Sequence, residues 1–125
     1  MKILVDTHIF IWILTGSDRL TKKILEQLNH ADSVYLSSIS ITEIIIKCQI
    51  GKLKINVNEA VQNLAEIGIK ELPYTISHAC ALQNLPFIHK DPFDRMLVSQ
   101  AISEPLKFLT ADKILAEYSE LVEVV

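Results

Sequence analysis

The chain has 125 residues, half of them hydrophobic, and its 12 basic and 15 acidic side chains give a net charge of −3. This length suits one domain, residues 1–125, and no apolar run approaches the roughly 18 residues of a membrane span. The charge argues only weakly against a nucleic-acid partner, because cations bound to four acids would nearly balance acids and bases. Lys2 is followed by only three apolar residues, so we expect no signal peptide and a cytoplasmic protein.

The chain begins with a short strand that ends at an acid. Residues 3–5 are too few for a helix and β-branched enough for a buried strand, and Asp6 follows them. The next run, residues 9–14, is apolar on every face, which predicts a helix that is buried or partly covered by another chain. The side chains expected to contact such a partner are Ile9, Phe10, Trp12 and Ile13.

The rest of the chain alternates helices and strands. The predicted helices cover residues 20–28, 41–50, 58–67, 75–85, 92–103 and 112–118, and the predicted strands cover 34–36, 69–72, 106–109 and 121–125. Such alternation predicts an α/β fold with a parallel sheet and helices on both faces. The mean hydropathy of +0.30 agrees with a sheet covered on both sides. Cys48 and Cys80 fall inside predicted helices without paired spacing, which indicates reduced core thiols.

Four acids stand out by their positions. Asp6 ends the first strand, where it is equally well explained as a helix N-cap or as a ligand. Glu43 shares a predicted helix face with Ile39, Ile46 and Ile50, and a carboxylate on an apolar stripe is costly unless it is paired or bound to a metal. The alternative for Glu43 is a surface pair with Lys47, which would contribute only about 0.3 kcal/mol.

Two more acids follow the same logic. Asp91-Pro92-Phe93-Asp94 reads as a helix start, with Asp91 as N-cap and Asp94 in the first turn. This explains Asp91 fully but leaves Asp94 open as a ligand. Asp112 follows the fourth strand after Thr110 and Ala111, and a cap by Thr110 or Asp112 is its plainer explanation.

Taken together, the acids favour a metal site. In a parallel sheet the strand ends and helix starts converge on one edge, where four carboxylates would repel each other and raise their own pKa values. Divalent cations relieve that repulsion, and carboxylate oxygens suit Mg²⁺ or Mn²⁺. One or two such ions activate water and stabilise the leaving oxygen of a phosphodiester. The sequence has no Gly-rich phosphate loop and no nucleophilic Ser or Cys arrangement.

These motifs resemble a known family. The matching segments are Leu4-Val5-Asp6-Thr7-His8 with Trp12, Ser40-Ile41-Thr42-Glu43-Ile44 with Lys47 and Gly51-Lys52-Leu53, residues 89–97, and Leu109-Thr110-Ala111-Asp112. They occur in the order found in PIN-domain ribonucleases, specifically VapC-type toxins of toxin–antitoxin pairs. The resemblance implies a three-layer sandwich with sheet order 3-2-1-4-5. It also implies a Mg²⁺- or Mn²⁺-dependent endoribonuclease that forms a homodimer and binds a cognate antitoxin.

The resemblance also assigns roles to residues. Asp6, Glu43, Asp94 and Asp112 would bind one or two metal ions and carry catalysis, and Asp91 and Thr110 would support them. The cations near these motifs are candidates for RNA binding, or else ordinary surface charges. They are Lys47, Lys52, Lys54, Lys90 and Arg95.

Other functions fit the sequence less well. A PIN-like scaffold that binds partners without catalysis is the main alternative to a nuclease. A receiver domain would need adjacent acids after the first strand and an Asp ending the third, where Leu72-Pro73 stands. A haloacid-dehalogenase-like phosphatase would need an Asp two residues after Asp6, and His8 is there.

Overall fold

A computed structural model describes all 125 residues of the chain. The strands are β1 (Lys2–Val5), β2 (Ser33–Ser37), β3 (Ile69–Leu72), β4 (Lys107–Thr110) and β5 (Val122–Val124). The α-helices are α1 (Thr7–Thr15), α2 (Lys22–His30), α3 (Ser38–Gln49), α4 (Val57–Ile67), α5 (Ile76–Ala81) and α6 (Pro92–Ser103). Two short 3₁₀ helices span Leu82–Asn84 and Lys113–Glu117. No helix combines the length and apolar composition needed to cross a bilayer.

The sheet is parallel throughout, and its order is β3-β2-β1-β4-β5, as predicted. In β1, Ile3 is in register with Val34 on one side and with Lys107 on the other. The strands β2 and β3 lie on one side of β1, whereas β4 and β5 lie on the other, so the sheet has a topological switch point between β1 and β4. Ligands in open α/β sheets bind at the carboxyl ends of the strands beside such a point. A ligand site is therefore expected at the carboxyl ends of β1 and β4.

Consecutive residues of β1 belong to two separate cores. Ile3 and Val5 pack with residues of α1, α2, α3 and α4 on one face, whereas Leu4 packs with α6 and the second 3₁₀ helix on the other. The side chains of Ile3, Leu4 and Val5 are all fully buried, which fixes the strand in depth and register, because a slip by one residue would exchange the two faces. The predicted layer of helices on each face of the sheet is confirmed.

Several boundaries differ from the sequence-based prediction. The helix α4 begins at Val57, one residue before the predicted start, and Asn56 caps it by accepting the Glu59 N–H at 3.1 Å. The predicted last helix is a five-residue 3₁₀ turn, Lys113–Glu117, which is the form that short connecting segments often take. Cys48 is half-buried, but Cys80 is exposed, so the prediction of a core thiol is wrong for Cys80.

Candidate active site and metal centre

Asp6 both caps a helix and faces the site. It follows β1 directly, and its N–H donates to the Leu109 carbonyl of β4 at 2.9 Å. Its Oδ1 accepts the His8 N–H at 3.2 Å at the start of α1, and its Oδ2 accepts the Thr110 hydroxyl at 2.5 Å. The buried carboxylate is therefore fixed from two neighbouring strands. The cap and ligand explanations do not compete, because the cap holds the side chain at the sheet edge.

Glu43 is the most unusual acid by its surroundings. It is 1% exposed, its Oε2 accepts the Lys47 ammonium at 2.7 Å, and its Oε1 is buried without a hydrogen-bond partner. The stripe expected around it is only partly buried, since Ile46 and Ile50 are exposed. The pair with Lys47 that the sequence suggested as a surface alternative thus forms, but on a buried carboxylate.

The placement of Glu43 depends on a polar contact between helices. The Thr7 hydroxyl of α1 donates to Ser40 Oγ of α3 at 2.8 Å, and both residues are fully buried. Ser40 precedes Glu43 by three residues, so the two side chains share a helix face. Ser37 caps α3 by accepting the Ile39 N–H at 3.1 Å. The end of β2 therefore directs this face of α3 towards the residues that follow β1.

Asp94 is buried among other acids. It lies in the first turn of α6, where Asp91 caps the helix by accepting the N–H groups of Phe93 and Asp94 at 2.8 and 3.3 Å. The Asp94 carboxylate is buried and accepts no hydrogen bond within the chain. Burial and the charges of Asp6, Asp91 and Glu43 raise the pKa of Asp94 to about 7. Asp94 is thus the point where the negative charges of the site meet.

Asp112 extends the site from β4. Its N–H donates to Thr110 Oγ1 at 3.1 Å, and its Oδ1 accepts the Ile114 N–H at 3.1 Å, which caps the second 3₁₀ helix. Its Oδ2 lies 3.1 Å from His89 Nε2. Thr110 therefore contacts both the Asp6 carboxylate and the Asp112 main chain.

His89 belongs to this group although the sequence pointed to it only faintly. Its Nε2 lies 3.8 Å from an Asp94 oxygen, and possible ligand atoms of His89, Asp94 and Asp112 lie within 4.8 Å of one another. The Asp91 N–H, however, donates to His89 Nδ1 at 3.0 Å. This bond places the ring proton on Nε2, so in this arrangement His89 donates to Asp112. The only sequence signal is a histidine two residues before an N-cap aspartate.

Asp6, Asp94 and Asp112 line one cavity of about 250 Å³. Its other lining residues include His8, Trp12 and Arg19. Glu43 does not line the cavity, but its charge acts on Asp94. The side-chain interaction with Asp6, 3.7 Å away, raises the pKa of His8. Three of the four predicted acids therefore share a cavity, and the fourth is coupled to them through charge.

The site fits a divalent cation by its donor set. Burial and the neighbouring carboxylates raise the pKa of Asp94 to about 7, and one buried oxygen of Glu43 lacks any partner. Burial would lower the pKa of Lys47, but the hydrogen bond and charge of Glu43 outweigh it, and the pKa is raised. The Lys47 ammonium thus offsets part of the negative charge of the site. Hard oxygen donors with uncompensated charge are the ligands that Mg²⁺ and Mn²⁺ prefer.

The candidate RNA-binding cations have different surroundings. Lys52, Lys54 and Lys90 are exposed, whereas Lys47 is bound to Glu43. Arg95 lies 4.6 Å from the centre of the Phe87 ring and donates to the Leu85 carbonyl at 3.5 Å. Its guanidinium is engaged within the chain, which makes Arg95 the weakest of the five candidates.

The helix α1 was expected to contact a partner, and half of that expectation is wrong. Ile9 and Phe10 are fully buried in the core of this chain, so they have no surface for another molecule. Trp12 and Ile13 are half-buried and keep some exposed surface. The apolar character of α1 is explained mainly by its central position over β1 and not by a partner.

The fold and the acids define an α/β protein with a carboxylate site at the switch point of a parallel sheet. The family model for the PIN domain matches residues 3–121. The chain belongs to the PIN domain family, as its motifs predicted. No curated protein matches the sequence.

Solved structures share the fold over nearly the whole chain. A chain of VapBC2 from Rickettsia felis, crystallised bound to a DNA fragment from their promoter, has a TM-score of 0.72 at 15% identity, covering 100% of this chain and 98% of that one. A chain of DNA-bound VapBC from Salmonella typhimurium has a TM-score of 0.67 at 18% identity, covering 100% of this chain and 97% of that one. A chain of FitAcB from Neisseria gonorrhoeae has a TM-score of 0.63 at 18% identity, with 94% of each chain covered. At these identities the likeness establishes the fold.

Proposed function

We propose that this PIN domain is a Mg²⁺- or Mn²⁺-dependent endoribonuclease and the toxin of a toxin–antitoxin pair. One observation carries the proposal: Asp6, Asp94 and Asp112 come from two adjacent strand ends and a helix start, and they line a single cavity. Burial, together with the charges of Asp6, Asp91 and Glu43, raises the pKa of Asp94 to about 7. A structural cap needs no such crowding, whereas a site for divalent cations does.

Asp6, Glu43, Asp94 and Asp112 would hold one or two divalent ions. A divalent ion bound there lowers the pKa of its water and stabilises charge on a phosphodiester. The protein's part is to hold the carboxylates in place before the ion arrives. Thr110 fixes the Asp6 carboxylate by a 2.5 Å hydrogen bond.

Asp91 has two supporting tasks. Its carboxylate caps α6 and thereby positions Asp94, and its N–H sets the tautomer of His89. His89 then presents Nε2–H at the acid cluster, where it would be a donor for a phosphate oxygen of the substrate. The Tyr118 hydroxyl accepts the His89 N–H at 2.7 Å, which holds this segment against the second core.

The substrate we propose is RNA, and the protein partners are an antitoxin and a second copy of the chain. The exposed lysines Lys52, Lys54 and Lys90 are available to phosphates around the acidic centre. An antitoxin is proposed because the structurally similar chains come from the VapBC and FitAcB structures. The protein would act in the cytoplasm, where its RNA substrates are.

The test is cleavage of structured RNA by the purified protein. We expect cutting with Mg²⁺ or Mn²⁺, none in EDTA, and none by Asp6→Asn, since asparagine keeps the cap at α1 but loses the charge. Asp18→Asn, which changes an exposed carboxylate, is the matched control and should cut like the wild type. Cleavage that persists in EDTA, or equal cleavage by Asp6→Asn and wild type, would contradict the proposal.

A further inference from the structure

The cavity that the acids line also has an aromatic and a cationic side chain in its lining. These are Trp12, from α1, and Arg19, from the loop between α1 and α2. Trp12 is half-buried, whereas Ile9 and Phe10 of the same helix are fully buried. The helix thus places Ile9 and Phe10 in the core and the Trp12 ring in the lining of the cavity.

The loop after α1 holds Trp12 and Arg19 in a fixed relation. Gly16 ends α1 in the left-handed conformation, at φ 62°, which suits glycine. The Ser17 N–H donates to the Trp12 carbonyl at 3.1 Å, and Ser17 Oγ accepts the Arg19 N–H at 3.2 Å. Leu20 then donates its N–H to the Ser17 carbonyl at 3.0 Å. The arginine is therefore carried by a turn that is bonded back to the helix bearing the tryptophan.

The Arg19 side chain is not used within the chain. No ion pair of the structure includes it, although Asp6, Asp94 and Asp112 line the same cavity. It also makes no cation–π contact, unlike Arg95. An exposed guanidinium beside a site proposed to act on phosphodiesters is free to bind a phosphate in the bidentate manner that arginine favours.

From this arrangement we propose that Trp12 and Arg19 form a nucleotide subsite, in which the indole stacks on a base and the guanidinium binds the phosphate of a nucleotide next to the one that is cut. A ring combined with a nearby cation is how proteins hold unpaired nucleotides. The cavity of about 250 Å³ exceeds the ~30 Å³ of a water molecule several-fold, but it is too small for a folded segment. The ligand is single-stranded RNA, and the proposal rests on the proposed function.

Trp12 is the only tryptophan of the chain, so its fluorescence reports on the subsite directly. The probe is a short single-stranded RNA of mixed sequence, titrated in Ca²⁺ and checked afterwards for intactness on a gel. We expect RNA to quench Trp12 and to protect it from acrylamide. Inorganic polyphosphate, which has phosphates but no bases, should leave the emission almost unchanged.

Variants separate the two contacts. Binding of labelled RNA should weaken at least fivefold in Trp12→Leu, which removes the stacking ring, and by less than about twofold in Trp12→Phe, which keeps one. Arg19→Ala should weaken binding of both RNA and polyphosphate and reduce the slope of log affinity against log salt by about 0.7, the loss of one phosphate contact on a single strand. Lys70→Ala, an exposed cation on the edge strand β3, should match the wild type.

The outcomes distinguish this proposal from the nuclease itself. If Trp12→Leu and Arg19→Ala bind RNA like Lys70→Ala while the wild type still cuts RNA with Mn²⁺, the subsite is wrong and the proposed function stands. If the wild type neither binds nor cuts RNA, both are wrong. If Trp12→Leu loses RNA and polyphosphate equally with an unchanged melting temperature, stacking is wrong and only a charge effect is left.

Discussion

Asparagine in place of Asp94 should stabilise the metal-free protein and at the same time destroy its activity. The Asp94 carboxylate is buried beside Asp6, Asp91 and Glu43, and its pKa rises from the ordinary 3.8 to about 7. At about 1.36 kcal/mol per pKa unit, ionised Asp94 costs the folded state about 4 kcal/mol relative to the unfolded chain. Asparagine has a similar shape without the charge, so we expect a gain of between about 1 and 4 kcal/mol in EDTA at pH 8.

The pH dependence of this gain has a definite sign. Between pH 4 and 7 the folded state keeps a proton on Asp94 that the unfolded chain has already lost, so the wild type loses stability as the pH rises through this range. In the Asp94→Asn variant residue 94 does not titrate, so this contribution to the pH dependence of stability is absent. The difference in unfolding free energy between the two proteins should therefore be near zero below about pH 4, grow up to about pH 7, and stay constant above it.

Urea denaturation in EDTA, followed by circular dichroism at several pH values, measures this difference. Asp18→Asn is the matched control, because its carboxylate is exposed and its effect should stay within about 0.5 kcal/mol at every pH. Adding Mn²⁺ should stabilise the wild type and reverse the order of the two proteins. A variant that is less stable than the wild type in EDTA at pH 8, or a difference that does not change with pH, would refute the reasoning.

Three further predictions concern the same site. Thr110→Val removes both the donor to a buried Asp6 oxygen and the acceptor of the Asp112 N–H and should cost about 1–3 kcal/mol in urea denaturation; no loss would mean that these two bonds are dispensable. Lys47→Met leaves Glu43 buried without its cation and should destabilise the protein by about 1–3 kcal/mol in EDTA, with Mn²⁺ recovering part of the loss. Mn²⁺ binding at pH 7 should release about half a proton, because the pKa of Asp94 is about 7. Calorimetry in two buffers would detect the release, and an equal release from Asp94→Asn would exclude Asp94 as its source.

The fold followed from the sequence because its strands are short, apolar and regularly separated by helices. The sheet order, which the family resemblance supplied, agrees with the structure. Local features were harder to predict: α4 begins at Val57, and its Asn56 cap is identified only by the bond that Asn56 accepts from the Glu59 N–H. The exposure of Cys80 depends on how the short helix α5 turns against α6, which no local pattern specifies.

Patterns could identify the carboxylates of the site but not its neutral and cationic members. Asp6 and Asp112 were predicted from strand ends and Glu43 from an apolar stripe, all of which are local signals. Arg19 lies in a surface loop whose composition is ordinary, and His89 lies in an irregular segment before α6. Their relation to the acids arises only when the loops fold over the sheet edge. The assignment of Ile9 and Phe10 to a partner has a different cause. A uniformly apolar helix has the same sequence pattern whether its own core or another chain covers it.

Three of the acids near the centre serve as helix caps, and this explains where the excess charge lies. Asp6, Asp91 and Asp112 each accept a main-chain N–H at the start of a helix, and this bond fixes the position of each carboxylate. Glu43 and Asp94 cap nothing: one has an unpartnered buried oxygen, and the other has a pKa of about 7. The caps thus fix the geometry of the site, while the two uncapped acids supply the charge that a cation would neutralise. Asn at position 6 keeps the cap of α1 but removes the Asp6 charge, which adds to the charge of the two uncapped acids, so the loss of cleavage expected for Asp6→Asn would report on charge and not on folding.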